Sequence, residues 1–478
     1  MSSEKSKLLL VPIEILARER DSRILISLKL LKLNPEWKII LGRTDMVGSY
    51  WRNKNDNKKF IFLSKGPNFS KSYFQKLINK NGYYFLLDEE GAIFSKFVEK
   101  NWNRGGKNND LVKYISKILF WGNITKENYF QNHKDFINEE KIEICGNPRF
   151  DLGKKNYRNY FRFLSNKNDQ TNFIMIDTAF AVYNNIVSLD AQREHWTKVI
   201  KYTGRGDIAA NQWYNVTKKT YDFQSKLFPK FIEGIKYIAR KLPDYDFLLR
   251  PHPSEDVNTY KRNLEEIKNI KISNHDSAVS KFIDAKMIIH NGCSTAVEAC
   301  LGDIPSICFL PENSVDQIQE LPRKISYIVE NKEDLLKKTL NIFSEKIDKK
   351  EFSIFKEKIK PHIDNIDYDS SDKIAKIINN FDFSRNSEID FDKTLKGYLE
   401  KYLPKSFFNI LVSFKKLFNK KDRASTTAAF KKRDKIKFEK LTLSDLQLRV
   451  NAFSEVIKDL PHIKLVEINK DLFELKVD

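Results

Sequence analysis

The 478-residue sequence contains only four cysteines: Cys145, Cys293, Cys300 and Cys308. None of them shows C-x-x-C spacing, and three lie in apolar stretches. Disulfide frameworks and zinc sites are usually recognisable from regularly spaced cysteines. We therefore expect reduced thiols in the core of a cytoplasmic protein, with neither disulfides nor a structural zinc.

Long apolar runs are also missing. No stretch approaches the roughly 20 apolar residues that a helix needs to cross a bilayer. The apolar run at 8–11 is short and is followed by Pro12 and Glu14, which does not fit a secretory leader. We expect a protein that is cytoplasmic and, at most, peripheral to the inner face of the membrane.

Common nucleotide-binding and metal-binding signatures are absent as well. The sequence has no G-x-x-x-x-G-K-[ST] loop and no G-x-G-x-x-G fingerprint. Asp-x-Asp patterns begin at Asp244, Asp367 and Asp390, but the first precedes a predicted strand and the others lie outside the predicted sheets. We interpret them as chance and predict no metal ion or other cofactor.

The chain is strongly basic. Lys and Arg number 84 against 64 Asp and Glu, a formal net charge of +20. Such a charge indicates an anionic partner, for example a membrane surface or a phosphorylated substrate, although an A+T-biased genome would also enrich lysine. The basic residues are spread along the chain without a nucleic-acid-binding motif, so nucleic acid is not the expected partner.

Apolar strands alternate with amphipathic helices in two successive series, which predicts an α/β fold with parallel sheets. In the first series, residues 1–167, we predict strands at 8–11, 37–41, 60–63, 83–87, 118–121 and 142–144. In the second, residues 168–380, we predict strands at 172–176, 247–249, 287–289, 306–309 and 325–329. Hydrophobic residues make up 41% of the chain, enough for two cores.

Two turns of the second series carry the strongest candidate site. The strand at 247–249 runs into Arg250, His252 and Pro253, and the strand at 287–289 runs into the segment 290–298. The carboxyl ends of parallel strands line the ligand crevice of an open α/β sheet, so these turns suit a phosphate. Thr295 and Glu298 also fit a T-x-x-E capping box, which needs no ligand.

The first series contributes three polar clusters. Arg18 and Glu19 precede the predicted helix at 23–33, and Asn147 and Arg149 follow the strand at 142–144. The acids Asp88, Glu89 and Glu90 follow the strand at 83–87 directly. Crowded carboxylates favour a general base or nucleophile, although they also suit the start of a helix. A long predicted loop, 177–210, adds Asp207 as a weaker catalytic candidate.

The tail divides into two parts. Phenylalanines at helical spacing and many lysines mark 381–440, above all 394–440, as a basic amphipathic segment for an anionic membrane surface, or alternatively as a helix packed on the protein. Residues 441–478 predict a helix at 445–460 and a hairpin around Asn469-Lys470-Asp471. The sequence leaves open whether this appendage serves docking or self-association.

Five of these motifs, in order along residues 8–310, together resemble those of the bacterial surface carbohydrate biosynthesis proteins. These are GT-B glycosyltransferases, related to the retaining β-Kdo transferases of polysaccharide assembly. The matching motifs are Pro12-Ile13-Glu14 with Arg18-Glu19, Leu87-Asp88-Glu89-Glu90-Gly91, Gly146-Asn147-Pro148-Arg149-Phe150-Asp151, Arg250-Pro251-His252-Pro253-Ser254-Glu255, and His290-Asn291-Gly292-Cys293-Ser294-Thr295-Ala296-Val297-Glu298-Ala299.

The resemblance implies a GT-B fold, in which two Rossmann-like domains face each other across a cleft. It implies a CMP-activated ulosonic acid donor, CMP-Kdo, and a growing surface glycan or lipid-linked glycan as acceptor. The second domain would hold the donor, with His252 and Arg250 at its phosphate and Glu298 at the ribose. The donor-binding set comprises Arg18, Asn147, Arg149, Arg250, His252, Pro253, His290, Asn291, Gly292, Ser294, Thr295 and Glu298.

The resemblance also implies retention of configuration through a carboxylate nucleophile. The candidates are Asp88, Glu89 and Glu90, then Glu19, then Asp207. The segment 176–180 departs from the family pattern, which leaves the exact sugar and the acceptor open. Two other functions remain: a transferase of CDP-activated glycerol or ribitol phosphate, and a non-catalytic scaffold that binds anionic surfaces.

Overall fold

The computed structural model describes residues 7–66, 71–89, 109–133, 137–165, 173–202, 206–273, 277–282, 284–312, 315–344, 349–383 and 438–478. Within these residues the strands are β1 (Lys7–Ile13), β2 (Trp37–Arg43), β3 (Phe60–Ser64), β4 (Gly82–Leu87), β5 (Lys117–Phe120), β6 (Ile142–Ile144), β7 (Phe173–Asp177), β8 (Asp246–Arg250), β9 (Ile270–Ile272), β10 (Ala285–His290), β11 (Ser306–Phe309), β12 (Tyr327–Val329), β13 (Ile463–Asn469) and β14 (Leu472–Val477).

The α-helices of the first half and of the connection that follows it are α1 (Leu16–Leu33), α2 (Thr44–Asn53), α3 (Lys71–Asn79), α4 (Asn123–His133), α5 (Pro148–Asp151), α6 (Arg158–Ser165) and α7 (Leu189–Tyr202). The remaining α-helices are α8 (Gly206–Lys241), α9 (Val257–Leu264), α10 (Ala278–Phe282), α11 (Thr295–Leu301), α12 (Glu320–Lys324), α13 (Lys332–Ser344), α14 (Lys349–Ile359), α15 (Ser370–Asn379) and α16 (Leu443–Ser454).

The strands form two sheets, each with a parallel core. The first has the order β13-β14-β2-β1-β3-β4-β5-β6, and the second has the order β12-β11-β10-β7-β8-β9. Strands of the parallel core such as β4 are buried along their whole length, which is why they are continuous apolar runs in the sequence. The predicted α/β class, with two Rossmann-like domains facing across a cleft as in GT-B proteins, is confirmed.

Helix α1 begins seven residues before the predicted start at residue 23. Arg18 and Glu19 therefore lie in its first turns and do not precede it. Glu19, Asp21 and Arg23 are nearly fully buried in this helix. Charged side chains disguise the apolar periodicity of a buried helix when each finds an ionic partner inside the protein.

The predicted long loop at 177–210 is largely helical. It contains the whole of α7, and α8 begins at Gly206, before the predicted start at residue 211. Helices α7 and α8 pack against each other. Asp207 lies in the first turn of α8 and is exposed to solvent.

The predicted C-terminal helix and hairpin are both present, as α16 and β13–β14. The hairpin extends the first sheet, because β14 pairs antiparallel with β2. Arg449 of α16 donates to Asp21 of α1 at 2.8 Å, and the ring of Phe453 stacks on that of Tyr160 at 3.9 Å. The C-terminal residues are thus integral to the first domain. Of the predicted basic segment 381–440, residues 384–437 lie outside the described part of the chain, so its membrane role stays a prediction.

Of the described helices, none is long and apolar enough to cross a membrane. All four cysteines are buried and unpaired, as expected.

Candidate functional site

The topology of the second sheet fixes where a ligand binds. Strands β7 and β10 are neighbours, and the chain leaves them toward opposite edges of the sheet. Such a switch point opens a crevice at the carboxyl ends of the two strands. Here those ends are Asp177 and His290, which pair in register.

A cavity of about 320 Å³ lies at this place, between the two domains. From the first domain it is lined by Arg18, Glu89, Trp121 and Arg149. From the second it is lined by Ala179, Ala181, Val182, Thr220, Phe223, Gln224, Leu227, His252, Asn291, Gly292, Cys293, Ser294, Gln317, Ile318 and Gln319. Seven predicted site residues therefore converge on one cavity: Arg18, Glu89, Arg149, His252, Asn291, Gly292 and Ser294.

His290 shapes the wall of the cavity from behind. Its Nδ1 accepts hydrogen bonds from the backbone N–H of Gly292 at 3.0 Å and of Cys293 at 3.2 Å. Its Nε2 lies 2.9 Å from Ser326 Oγ. Complete burial lowers the pKa of His290 to about 3, so the imidazole stays neutral. The prediction that His290 binds the donor directly is not supported, because the ring shapes the turn and does not line the cavity.

Gly292 permits this turn. Its φ is +96°, and a Cβ at this position would lie 2.9 Å from Ile318 Cγ2. Asn291 fixes the opposite side, since its Oδ1 accepts from Ala179 N at 2.7 Å. The turns after β7 and β10 are thereby tied together across the switch point.

Asp177 organises the residues directly below. Its carboxylate accepts from Arg250 Nη1 at 3.2 Å, from the hydroxyl of Thr295 and from Cys293 Sγ at 3.5 Å. Arg250 and Thr295 therefore support the wall and do not line it. The alternative capping box is wrong: Ser294 is the N-cap of α11 without a side-chain cap bond, and Glu298 pairs elsewhere.

Glu255 joins the turns after β7 and β8. Its Oε2 accepts from Thr178 Oγ1 at 2.8 Å and from the hydroxyl of Tyr260 at 2.5 Å, and its Oε1 accepts from Phe180 N at 2.7 Å. Burial raises the pKa of Glu255 to about 7. His252, on the same turn, faces the cavity with its Nδ1 accepting from Ser254 N at 3.2 Å. Pro253 is half-buried beside it and does not line the cavity.

An ion pair crosses from one domain to the other at the cavity. Arg149 Nε lies 2.9 Å from Glu298 Oε1, and both residues are buried. The guanidinium also lies over the rings of Trp121 and Phe150, at 5.8 and 4.9 Å. Glu298, predicted to contact the ribose, thus contacts Arg149 in this structure.

Other residues of the 146–151 motif bind neighbouring segments, among them the start of α15, the helix with which the chain returns from the second domain to the first. Asn147 Oδ1 accepts from Arg149 N at 2.9 Å, and Asn147 Nδ2 donates to the carbonyl of Asp88 at 3.1 Å. Asp151 accepts from the backbone N–H groups of Ser370 and Ser371, at 2.9 and 2.8 Å, at the start of α15. Asn147 therefore positions its neighbours and does not line the cavity.

The acidic candidates differ in whether they line the cavity. Glu89 lines the cavity, is 2% exposed, and its Oε1 lies 2.9 Å from Arg23 Nη2. Asp88 does not line the cavity, and its carbonyl accepts from Trp121 Nε1 at 2.5 Å. Glu19 is buried behind the cavity; burial opposes its ionisation, but Lys65, Arg18 and Arg23 together hold its pKa below the usual range.

Two candidates fall outside this comparison. Glu90 lies outside the described residues. Asp207 is exposed on α8 and does not line the cavity.

The arrangement combines two guanidinium groups, one imidazole and one carboxylate in a single cleft. Such a set suits an anionic ligand next to a reacting carboxylate. Within the described residues, no group of three or more His, Cys, Asp or Glu side chains is placed to hold a metal ion.

Several supporting residues were not predicted: Asp177, Glu255, Arg23 and Gln224. Gln224 accepts from the backbone of Val182 and Tyr183 and donates to Ala179 O, so it fixes the turn after β7. Asp177 carried one available signal, because it is a charged residue at the end of an apolar strand. Glu255 belongs to the matching motif at 250–255 but was not assigned a role. Arg23 and Gln224 lie within helices, where their spacing gives no indication of a site.

Comparison with known proteins adds structural similarity at low identity. No protein-family model matches the chain, and no curated protein matches its sequence. A UDP-GlcNAc 2-epimerase from Methanocaldococcus jannaschii, in complex with UDP-GlcNAc and UDP, is 15% identical, covering 78% of this chain and 99% of its own, with a TM-score of 0.40. The wall teichoic acid polymerase TagF is 14% identical, covering 79% of this chain and 88% of its own, with a TM-score of 0.48.

A UDP-GlcNAc 2-epimerase from Neisseria meningitidis, bound to UDP-GlcNAc, is 12% identical, covering 78% of this chain and 98% of its own, with a TM-score of 0.41. At these identities and TM-scores the similarities support no conclusion about substrate or reaction. The fold rests on the sheet topology of this chain itself.

Proposed function

We propose that the cleft is the active site of a glycosyltransferase that takes a sugar from a nucleotide-activated donor. One observation carries the proposal: Arg18, Glu89 and Arg149 of the first domain face His252 and the 291–294 turn of the second across one cavity. Ligand sites of open α/β sheets lie at such switch points. Fold alone does not define activity, so the argument rests on these side chains.

We further propose a CMP-activated ulosonic acid, such as CMP-Kdo, as the donor. The choice of CMP and of Kdo comes from the motif resemblance. The cavity is compatible with it, because a ulosonic acid donor carries two anionic groups, a phosphate and a carboxylate. His252 and the 291–294 turn would receive the phosphate, while Arg18 and Arg149 would receive the carboxylate.

Glu89 is the carboxylate that the geometry favours for catalysis, since of the described candidates it alone lines the cavity. In a retaining reaction its oxygen bonds to the anomeric carbon while CMP leaves with the bonding electrons. The oxygen of the acceptor hydroxyl then bonds to the anomeric carbon as the carboxylate leaves, and the hydroxyl proton passes to bulk water. We expect Glu89→Gln to bind CMP with unchanged affinity and to transfer no sugar.

The acceptor in this proposal is a growing surface glycan or a lipid-linked glycan. The enzyme would act in the cytoplasm at the inner face of the membrane, with the basic segment 394–440 on anionic lipid head groups. That placement would bring the cleft to a lipid-linked acceptor.

The first experiment is a thermal-shift and calorimetric screen against CMP, CDP, UDP, GDP and ADP. A ligand that binds only the folded state raises the melting temperature by mass action. We expect selective stabilisation by CMP, and its loss in His252→Ala. Preference for CDP would replace the proposal with a polyol-phosphate transferase, and preference for UDP with a hexosyltransferase. If the folded protein responds to none of these nucleotides, the non-catalytic scaffold that binds anionic surfaces becomes the leading function.

A further inference from the structure

Within the described residues, Glu89 has one ionic partner, and that partner does not line the cavity. Arg23, in the second turn of α1, places Nη2 at 2.9 Å from Glu89 Oε1. The side chains are 1% and 2% exposed, so water does not compensate either charge. An unpaired buried charge is strongly unfavourable, so Glu89 needs Arg23, whose guanidinium also acts on the buried carboxylate of Glu19.

The pair differs from the other buried ion pairs of α1. Asp21 accepts from both Arg20 and Arg449, and Arg20 also reaches Asp445, so those charges are surrounded by protein partners. Glu89 uses only one oxygen in its pair. Its Oε2 is buried and forms no hydrogen bond with any residue in the described parts of the chain. That oxygen belongs to a side chain that lines the cleft.

We propose that Arg23 is a positioning residue: it holds Oε1 of Glu89 and leaves Oε2 as the reacting oxygen. This inference rests on the proposed function. A carboxylate that attacks a sugar carbon, or takes a proton from a hydroxyl, must be ionised and have one oxygen free of other bonds. The guanidinium of Arg23 meets both requirements, because it stabilises the ionised carboxylate and contacts Oε1, which leaves Oε2 available.

Two other arginines lie near the cleft, but each has an ionic partner of its own. Arg18 is paired with Glu19 at 3.3 Å, and Arg149 is paired with Glu298 at 2.9 Å. Both arginines line the cleft, where an anionic ligand competes for them. Arg23 lies behind Glu89, away from the ligand, so its charge stays on the carboxylate throughout the reaction.

The experiment compares Arg23→Met, Arg23→Lys, Glu89→Gln and the double variant Arg23→Met/Glu89→Gln in the full-length protein. Without Arg23 the carboxylate is buried with no cation beside it, which disfavours the ionised form that the reaction needs. We expect Arg23→Met to lower kcat about 100-fold or more near pH 7, while the donor KM changes less than about threefold. The acid limb of its pH–kcat profile should move up by about one pH unit or more.

Arg23→Lys retains the charge but not the planar fork, so it should lose about tenfold in kcat with an unmoved pH profile. The double variant should be no less active than Glu89→Gln, because both remove the same function. It carries no unpaired buried charge, and it keeps the test available should Arg23→Met not fold.

Arg20→Met is the matched control. It removes a buried arginine from the same helix, and we expect lower stability with unchanged kcat per folded molecule and an unchanged pH profile. The inference is overturned by an Arg23→Met enzyme with wild-type kcat, by a loss of kcat without a shifted profile, or by a double variant far below Glu89→Gln. A wild-type protein that turns over no nucleotide sugar overturns the proposed function itself, which separates the two failures.

Discussion

Replacing Glu255 with glutamine should stabilise the protein in mildly alkaline solution. Glu255 is fully buried, and burial, with a smaller contribution from Asp177, raises its pKa from an ordinary 4.5 to about 7. The folded state therefore prefers the protonated acid. Its contribution to stability is complete below about pH 4.5 and declines as the pH rises through about 7.

The magnitude follows from the two pKa values. Their difference is 7 − 4.5 = 2.5, and each pKa unit corresponds to about 1.4 kcal/mol, so the ionised form costs about 3 kcal/mol at pH 8. Glutamine resembles the protonated acid: its oxygen accepts from Phe180 N and its amide donates to the hydroxyls of Thr178 or Tyr260. Glu255→Gln should avoid most of this cost.

The assay is thermal and denaturant unfolding of the wild type and Glu255→Gln from about pH 4 to pH 8. We expect near-equal stability at the acid end and a variant that melts roughly 6 to 10 °C higher at the alkaline end. Asp151, whose pKa burial raises to about 6, and His290, whose pKa burial lowers to about 3, titrate in both proteins and cancel in the difference. Glu265→Gln, at an exposed position, is the control and should change nothing. A constant difference across this range would refute the reasoning.

Three further predictions address the cleft and the tail. Gly292→Ala should destabilise the protein by roughly 1 to 3 kcal/mol in denaturant unfolding and weaken nucleotide binding, because its φ is +96° and its Cβ would meet Ile318; unchanged binding would contradict the account of the turn. His252→Ala should abolish sugar transfer with an unaltered melting temperature, and undiminished turnover would remove His252 from the site. Deleting 407–437 should abolish binding to anionic liposomes, with retained binding ruling the segment out; the deletion must spare Phe438, which is buried in the first core.

The strands of both sheets were predictable because parallel strands are buried on both faces and appear as uninterrupted apolar runs. The short strand β9, Ile270-Lys271-Ile272, was missed; like β6 it is interrupted by a charged residue, and three such residues do not by themselves distinguish a strand from a loop. The start of α1 was misplaced, because Glu19, Asp21 and Arg23 look like a solvated segment until their partners are known. The same holds for α7, whose polar sequence suggested a loop.

For the site, the sequence by itself determined which strand ends carry chemistry. Polar residues that directly follow apolar strands in a parallel sheet must lie at one edge, and Glu89, His252, Asn291 and Ser294 do meet there. Gly292 was also identifiable, because a glycine in such a turn indicates a close backbone approach.

Only the tertiary structure decided which members of each motif line the cavity and which support it. His290, Arg250 and Thr295 stand next to lining residues in the chain, yet their side chains hold the turn from behind. Arg23 and Glu89 are 66 positions apart in the numbering and form one buried ion pair. Sequence patterns record local periodicity, whereas the pairing of buried charges depends on which elements pack together, and that is set by the whole fold.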